Sequence, residues 1–111
     1  MQTFSFYSDG RLTVRLCGEL DHAAAAGAMY ALTEAAQEYL PRSCVLDLSG
    51  LTFMDSSGVA VVLRAKRLLD RSGARFTVQS PPEQARRVLE MAGLSRMLEQ
   101  PEPAGREVGS I

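Results

Sequence analysis

Phe53-Met54-Asp55-Ser56-Ser57-Gly58 lies between two apolar runs, Cys44-Val45-Leu46-Asp47-Leu48 and Val59-Ala60-Val61-Val62-Leu63. The first run is nearly continuous, as expected of a central strand covered on one face or both. The second opens a helix from about Ser57 to Arg71, closed by Ser72-Gly73. Where a strand gives way to a helix through small polar residues, hydroxyls and unsatisfied backbone N–H groups gather at one helix N-terminus, and anions are stabilised there. The stretch is therefore a candidate position for a phosphate group, with Asp55 or Ser56 as the N-cap.

Upstream, Thr3 to Ser8 alternates loosely, Asp9-Gly10 signals a hairpin turn, and Arg11 to Gly18 alternates strictly with Leu12, Val14 and Leu16 on one face. Asp21 caps a helix from about His22 to Tyr39 whose inward stripe is expected at Ala25, Met29, Leu32 and Ala36, and Pro41 stops it. Downstream, Arg75 to Gln79 is a further strand. Ser80-Pro81-Pro82-Glu83 reads as a capping box with proline at the first helical position, opening a helix that ends near Gly93. Leu94 to Leu98 begins another helix that Pro101 and Pro103 break. Helices between strands favour parallel, right-handed crossovers. The expected fold is α/β: a single mixed β-sheet of four to five strands with helices packed on it. Residues 1–100 form the domain and residues 101–111 a flexible tail.

The chain has 111 residues, enough for one domain with its own core. Its net charge of −1 comes from 12 basic and 13 acidic side chains that alternate, so the basic stripe that nucleic acid requires is missing. The start, Gln2-Thr3-Phe4-Ser5-Phe6-Tyr7, lacks the features of a signal peptide, and no apolar run is long enough to span a bilayer. A cytosolic, soluble protein that does not engage membranes is expected. Cys17 and Cys44 both fall in strands and fit neither a zinc site nor a disulfide scaffold, so both read as small buried hydrophobes.

On a helical wheel, Gly58, Val61, Val62, Ala65, Leu68 and Leu69 face the sheet, while Arg64, Lys66, Arg67, Asp70 and Arg71 face away. Val59, Ala60 and Leu63 break this division by lying among the charged positions, so they are expected to form an apolar patch beside the serines, available to a partner unless a loop covers it. Arg64, Lys66 and Arg67 fit a solvated helix face or an acidic patch on a partner. Enzyme chemistry is not expected. A nucleophile elbow needs G-x-S-x-G, whereas Met54 and Ser56 flank the candidate here, and the one histidine, His22, follows a cap residue. Neither metal-ligand spacing nor a Walker-type loop is present, so no metal or cofactor is implied.

Phe53-Met54-Asp55-Ser56-Ser57-Gly58 after Leu46-Asp47-Leu48, together with Gly18-Glu19-Leu20-Asp21-His22, resembles the STAS domain of bacterial anti-sigma factor antagonists, particularly the sporulation type acting on sigma-F. The resemblance covers about residues 3 to 98. It implies a protein that, when unphosphorylated, binds an anti-sigma factor that is also a serine kinase and so releases the sigma factor. The kinase then phosphorylates the second serine of the turn, here Ser57, and a metal-dependent serine phosphatase resets it. Asp21, Asp55, Ser56 and Gly58 are the expected neighbours of that switch, and the free domain is expected to be monomeric. Two alternatives are a STAS module of another assembly, in general stress signalling or lipid transport, and a small-ligand or nucleotide-binding module using the turn as an anion site.

Overall fold

β3 (Ser43–Met54) is the axis of the molecule in the computed structural model, which describes residues 1–98. It lies between β2 (Arg11–Leu20) and β4 (Arg75–Gln79), parallel to both, and β1 (Gln2–Ser8) pairs antiparallel with β2 at the edge. The sheet has four strands in the order β1-β2-β3-β4. Side chains alternate across a strand, so Leu12, Val14 and Leu16 share one face with Cys44, Leu46 and Leu48 and with Phe76 and Val78. That face forms the core with three helices: α1 (His22–Tyr39), α2 (Ser56–Arg71) and α3 (Glu83–Met91).

The β1–β2 turn is the one its residues demand. Asp9 and Gly10 both have left-handed backbone, φ 53° and 81°, the condition of the tight hairpin turn in which Asp-Gly is favoured. Arg42 fastens this turn from outside, its guanidinium donating to Asp9 O at 3.1 Å and its N–H to Gly10 O at 2.8 Å. At the same end Tyr7 stacks on Tyr39, ring centroids 4.8 Å apart, joining the edge strand to the last turn of α1.

Several elements differ from expectation. In α1 the buried residues are Ala28, Leu32 and Ala35, while Ala25, Met29 and Ala36 are half-buried. An alanine-rich helix has little apolar bulk to define a stripe, and Met29 turns instead towards α2, lining a shallow cleft with Leu68 and Arg67. Leu68 is correspondingly half-buried rather than part of the sheet-facing core. The Ser80–Glu83 capping box does not form: Ser80 is left-handed at φ 56°, the N-cap is Pro82 without a side-chain hydrogen bond, and α3 starts at Glu83. Pro82 disfavours helical backbone at Pro81, so the helix begins only after both prolines. Beyond Gly93 the described chain makes one 3₁₀ turn, Ser95–Met97, and a single parallel bridge from Leu98 to Val78. The tail assigned to residues 101–111 lies outside the described residues.

Cys44 is buried as expected, and burial pushes its thiol up to about 12; Cys17, also expected to be buried, is only half-buried, because it alternates with Leu12, Val14 and Leu16 and so lies on the sheet face away from the core. Alkylation requires the thiolate. Iodoacetamide at pH 8 is therefore expected to modify Cys17 in the native protein and to reach Cys44 only on unfolding, a difference that timed peptide mass mapping reads directly. Equal rates would contradict the burial. An unfolded Cys44 thiol titrates near its ordinary value of 9.0 while the folded one keeps its proton, so this group lowers stability as pH rises from 9 towards 12 and has no effect below that window.

Candidate functional site

β3 runs through Met54, past the polar residues at which the apolar run ends, because β2 accompanies it: Gly18 pairs with Leu51, Glu19 with Phe53 and Leu20 with Met54, with register shifts on the way. Both strands thus end together, and the two turns that follow them are neighbours. The Asp55 N–H donates to Leu20 O at 3.3 Å, which brings the β2–α1 turn carrying Asp21 alongside the turn carrying the serines.

Each turn is shaped by its aspartate. Asp21 caps α1, accepting from the Ala24 N–H at 3.0 Å, and Asp55 caps α2, accepting from the Ser57 N–H at 2.8 Å. Of the two N-cap candidates the structure therefore selects Asp55, and α2 begins at Ser56. Gly58 N–H is also engaged, bonding to Asp55 O at 2.9 Å. This corrects the expectation of free N–H groups waiting for an anion, since a carboxylate already complements the positive end of α2.

Ser56 is exposed and Ser57 half-buried in the first turn. Gly58 is buried against Met54 and Leu20, and a Cβ there would lie 2.6 Å from Met54 Cγ. Only glycine lets α2 start this close to the strand ends. Among the three residues of the expected apolar patch, Ala60 is exposed, whereas Val59 and Leu63 are half-buried and pack against the rim of the core. The patch is narrower than expected because these two side chains lie over the helix flank. Lys66 pairs with Asp70 at 2.7 Å, and Arg64 and Arg67 line the α1–α2 cleft. His22 is exposed at the start of α1.

One contributor carries no signal in the linear sequence. The Gln84 carboxamide in α3 accepts from the Met54 N–H at 2.9 Å and donates to Met54 O at 2.8 Å, directly before the serine turn. On the opposite side an open cleft of about 670 Å³ is lined by Glu19, Asp21, Ala24 and Gly27 among others. No group of metal-ligating side chains occurs among the described residues, and none of their helices is long and apolar enough to cross a membrane.

A family model described as the STAS domain matches residues 7–108. The chain belongs to the STAS domain family. This STAS domain is 37% identical over 89 residues to the anti-sigma F factor antagonist of Paenibacillus polymyxa, spanning 80% of this chain and 76% of the relative. It is 35% identical over 83 residues to the anti-sigma F factor antagonist of Lysinibacillus sphaericus, spanning 75% and 71%. Among solved structures it resembles the anti-sigma factor antagonist SpoIIAA in its unphosphorylated form, with TM-score 0.78, 26% identity and coverage of 99% and 98% of the two chains. The Bacillus cell fate determinant SpoIIAA in its phosphorylated form shares the fold, with TM-score 0.70 at 24% identity and 98% coverage of each chain. The mixed four-stranded sheet with three helices is thus the STAS fold.

Proposed function

We propose that this STAS domain is an anti-sigma factor antagonist controlled by phosphorylation of Ser57. Unphosphorylated, it binds an anti-sigma factor that is also a serine kinase and frees the sigma factor. Once that kinase has modified Ser57 the complex separates, and a metal-dependent serine phosphatase restores the binding form. The domain itself performs no catalysis, and it works in the cytosol with its partners. The relatives named anti-sigma F factor antagonists support the role.

The observation that carries the switch is the 2.8 Å bond from the Ser57 N–H to the Asp55 carboxylate, with Asp21 in the adjoining turn. Phosphorylation adds about −1.5 to −2 charges. Beside one carboxylate and near another, inside an interface formed around a neutral hydroxyl, that charge brings repulsion and desolvation, and a coupling of ~1–3 kcal/mol weakens binding roughly 5- to 150-fold. No refolding is needed. The deciding experiment incubates the protein with its anti-sigma kinase and MgATP and fragments the peptide Ser43–Arg64: phosphate on Ser57 is expected, and phosphate on Ser56 alone would reassign the acceptor.

Ala60 tests the docking face. It is exposed on α2, so Ala60→Glu should change stability by no more than ~0.5 kcal/mol. Titration against the anti-sigma factor should nevertheless show binding weakened by about fivefold or more, since a charge is desolvated at the contact. Unchanged affinity would move the interface off this part of α2.

A further inference from the structure

We infer that Gln84 is a positioning residue for the Ser57 switch, its carboxamide standing in for an absent strand at the end of β3. This rests on the proposed phosphorylation of Ser57 and adds a control point on a different element of the fold.

β4 accompanies β3 only as far as Gln79, opposite Asp47, whereas β3 continues to Met54. Over that last part β2 serves one edge. The other edge has no strand, and at Met54 it presents one N–H and one C=O that a parallel neighbour would normally engage. Gln84 meets both, accepting at 2.9 Å and donating at 2.8 Å. Glutamine suits this task because its amide carries an acceptor and a donor at the end of a long stem. Glutamate supplies only the acceptor and alanine neither.

The clamp acts on the serine turn because the packing beyond it has no slack. Met54 is fully buried, and its Cγ lies where a Cβ on Gly58 would come within 2.6 Å. Asp55, which holds the Ser57 N–H, is the next residue in the chain. A displacement of Met54 must therefore shift the first turn of α2 and the hydroxyl it carries. The switch turn is thereby held by β2 through Leu20 O and by α3 through Gln84. An event that moves α3 would be felt at Ser57.

The test compares full-length wild type, Gln84→Ala and Gln84→Glu with the anti-sigma kinase and MgATP, alongside hydrogen exchange of individual amides. In Gln84→Ala the Met54 amide should exchange roughly three- to tenfold faster, as expected for the loss of one hydrogen bond, with Val14 and Leu46 unchanged. Misplacement of the reacting hydroxyl should lower kcat for Ser57 phosphorylation about tenfold with KM within about twofold. Gln84→Glu, which sets a carboxylate oxygen against the Met54 C=O where the Gln84 N–H donates in wild type, should be impaired at least as much as Gln84→Ala. Unchanged Met54 exchange in Gln84→Ala overturns the clamp. Faster Met54 exchange with unchanged kcat overturns the positioning role, as does a uniform rise in exchange across the core. A wild type that is not modified on Ser57 overturns the switch reading itself, a failure distinct from the others.

Discussion

Ser57→Ala is expected to leave the domain folded and able to bind its anti-sigma factor while abolishing phosphoryl transfer. The cap bond at this position comes from the Ser57 backbone N–H, not its hydroxyl, so alanine keeps the 2.8 Å contact with Asp55 that starts α2. Alanine is also a good helix former in a first turn, and the stability change should stay within ~0.5 kcal/mol. The hydroxyl proposed as the phosphate acceptor, by contrast, is gone. Ser57→Glu complements this variant by placing one negative charge near Asp55, less than the ~1.5 to 2 charges of a phosphate. It should weaken binding by roughly five- to tenfold, the lower part of the coupling range. Calorimetric titration of the three forms against the anti-sigma factor measures the order wild type ≈ Ser57→Ala > Ser57→Glu. Sustained phosphate incorporation into Ser57→Ala would transfer the role to Ser56.

The largest stability loss is expected at the neighbouring residue. A Cβ on Gly58 would approach Met54 Cγ to 2.6 Å, Met54 Cε to 3.0 Å and Leu20 Cδ2 to 3.1 Å. Met54 and Leu20 are both fully buried. Met54 cannot swing away as a unit, because the nearest atom is its Cγ and its backbone is held by Gln84 and by pairing with Leu20. Overpacking of this kind costs about 1–3 kcal/mol, which outweighs the gain of up to ~1 kcal/mol from replacing a helical glycine. After subtracting that gain, the net loss of up to about 2 kcal/mol should lower Tm in Gly58→Ala by up to roughly 10 °C for a domain of this size. Gly27→Ala is the matching control, since nothing lies within 4 Å of a Cβ there and the residue is inside α1. That variant should gain about 0.5–1 kcal/mol. Thermal denaturation of the pair should give shifts of opposite sign, and two stabilising substitutions would refute the close approach at Gly58.

Sequence and structure agree most closely in three pieces, the apolar run Cys44 to Leu48, the Asp55 cap and the polar face of α2. Local chemistry decides each of these. The same local chemistry misleads where the deciding contact is distant. Ser49, Gly50 and Thr52 look like the end of a strand, yet they remain in β3 because β2 continues beside them. The alanines of α1 are too uniform to mark an inward stripe, and which of them are buried is decided by packing against α2 and β2. Strand order is likewise hidden, since alternation assigns faces but not neighbours. At the site, Asp21, Asp55 and the serines are legible because they sit at the ends of strands with caps to fill. Gln84 is not, because its partner Met54 lies 30 residues away in the chain and nothing in the spacing distinguishes it from any other polar helix residue.

The sheet order β1-β2-β3-β4 repeats the order of synthesis. Each new strand docks on the one made before it, so no segment has to wait for a later one to be inserted between its neighbours. The β1–β2 hairpin can close within microseconds. Every subsequent closure spans little more than one helix, and loop entropy rises by only ~0.6 kcal/mol for each doubling of length. A nascent chain leaving the ribosome can thus extend its sheet by one strand at a time, and the serine turn is complete once α2 has emerged and Gln84 has bonded to Met54.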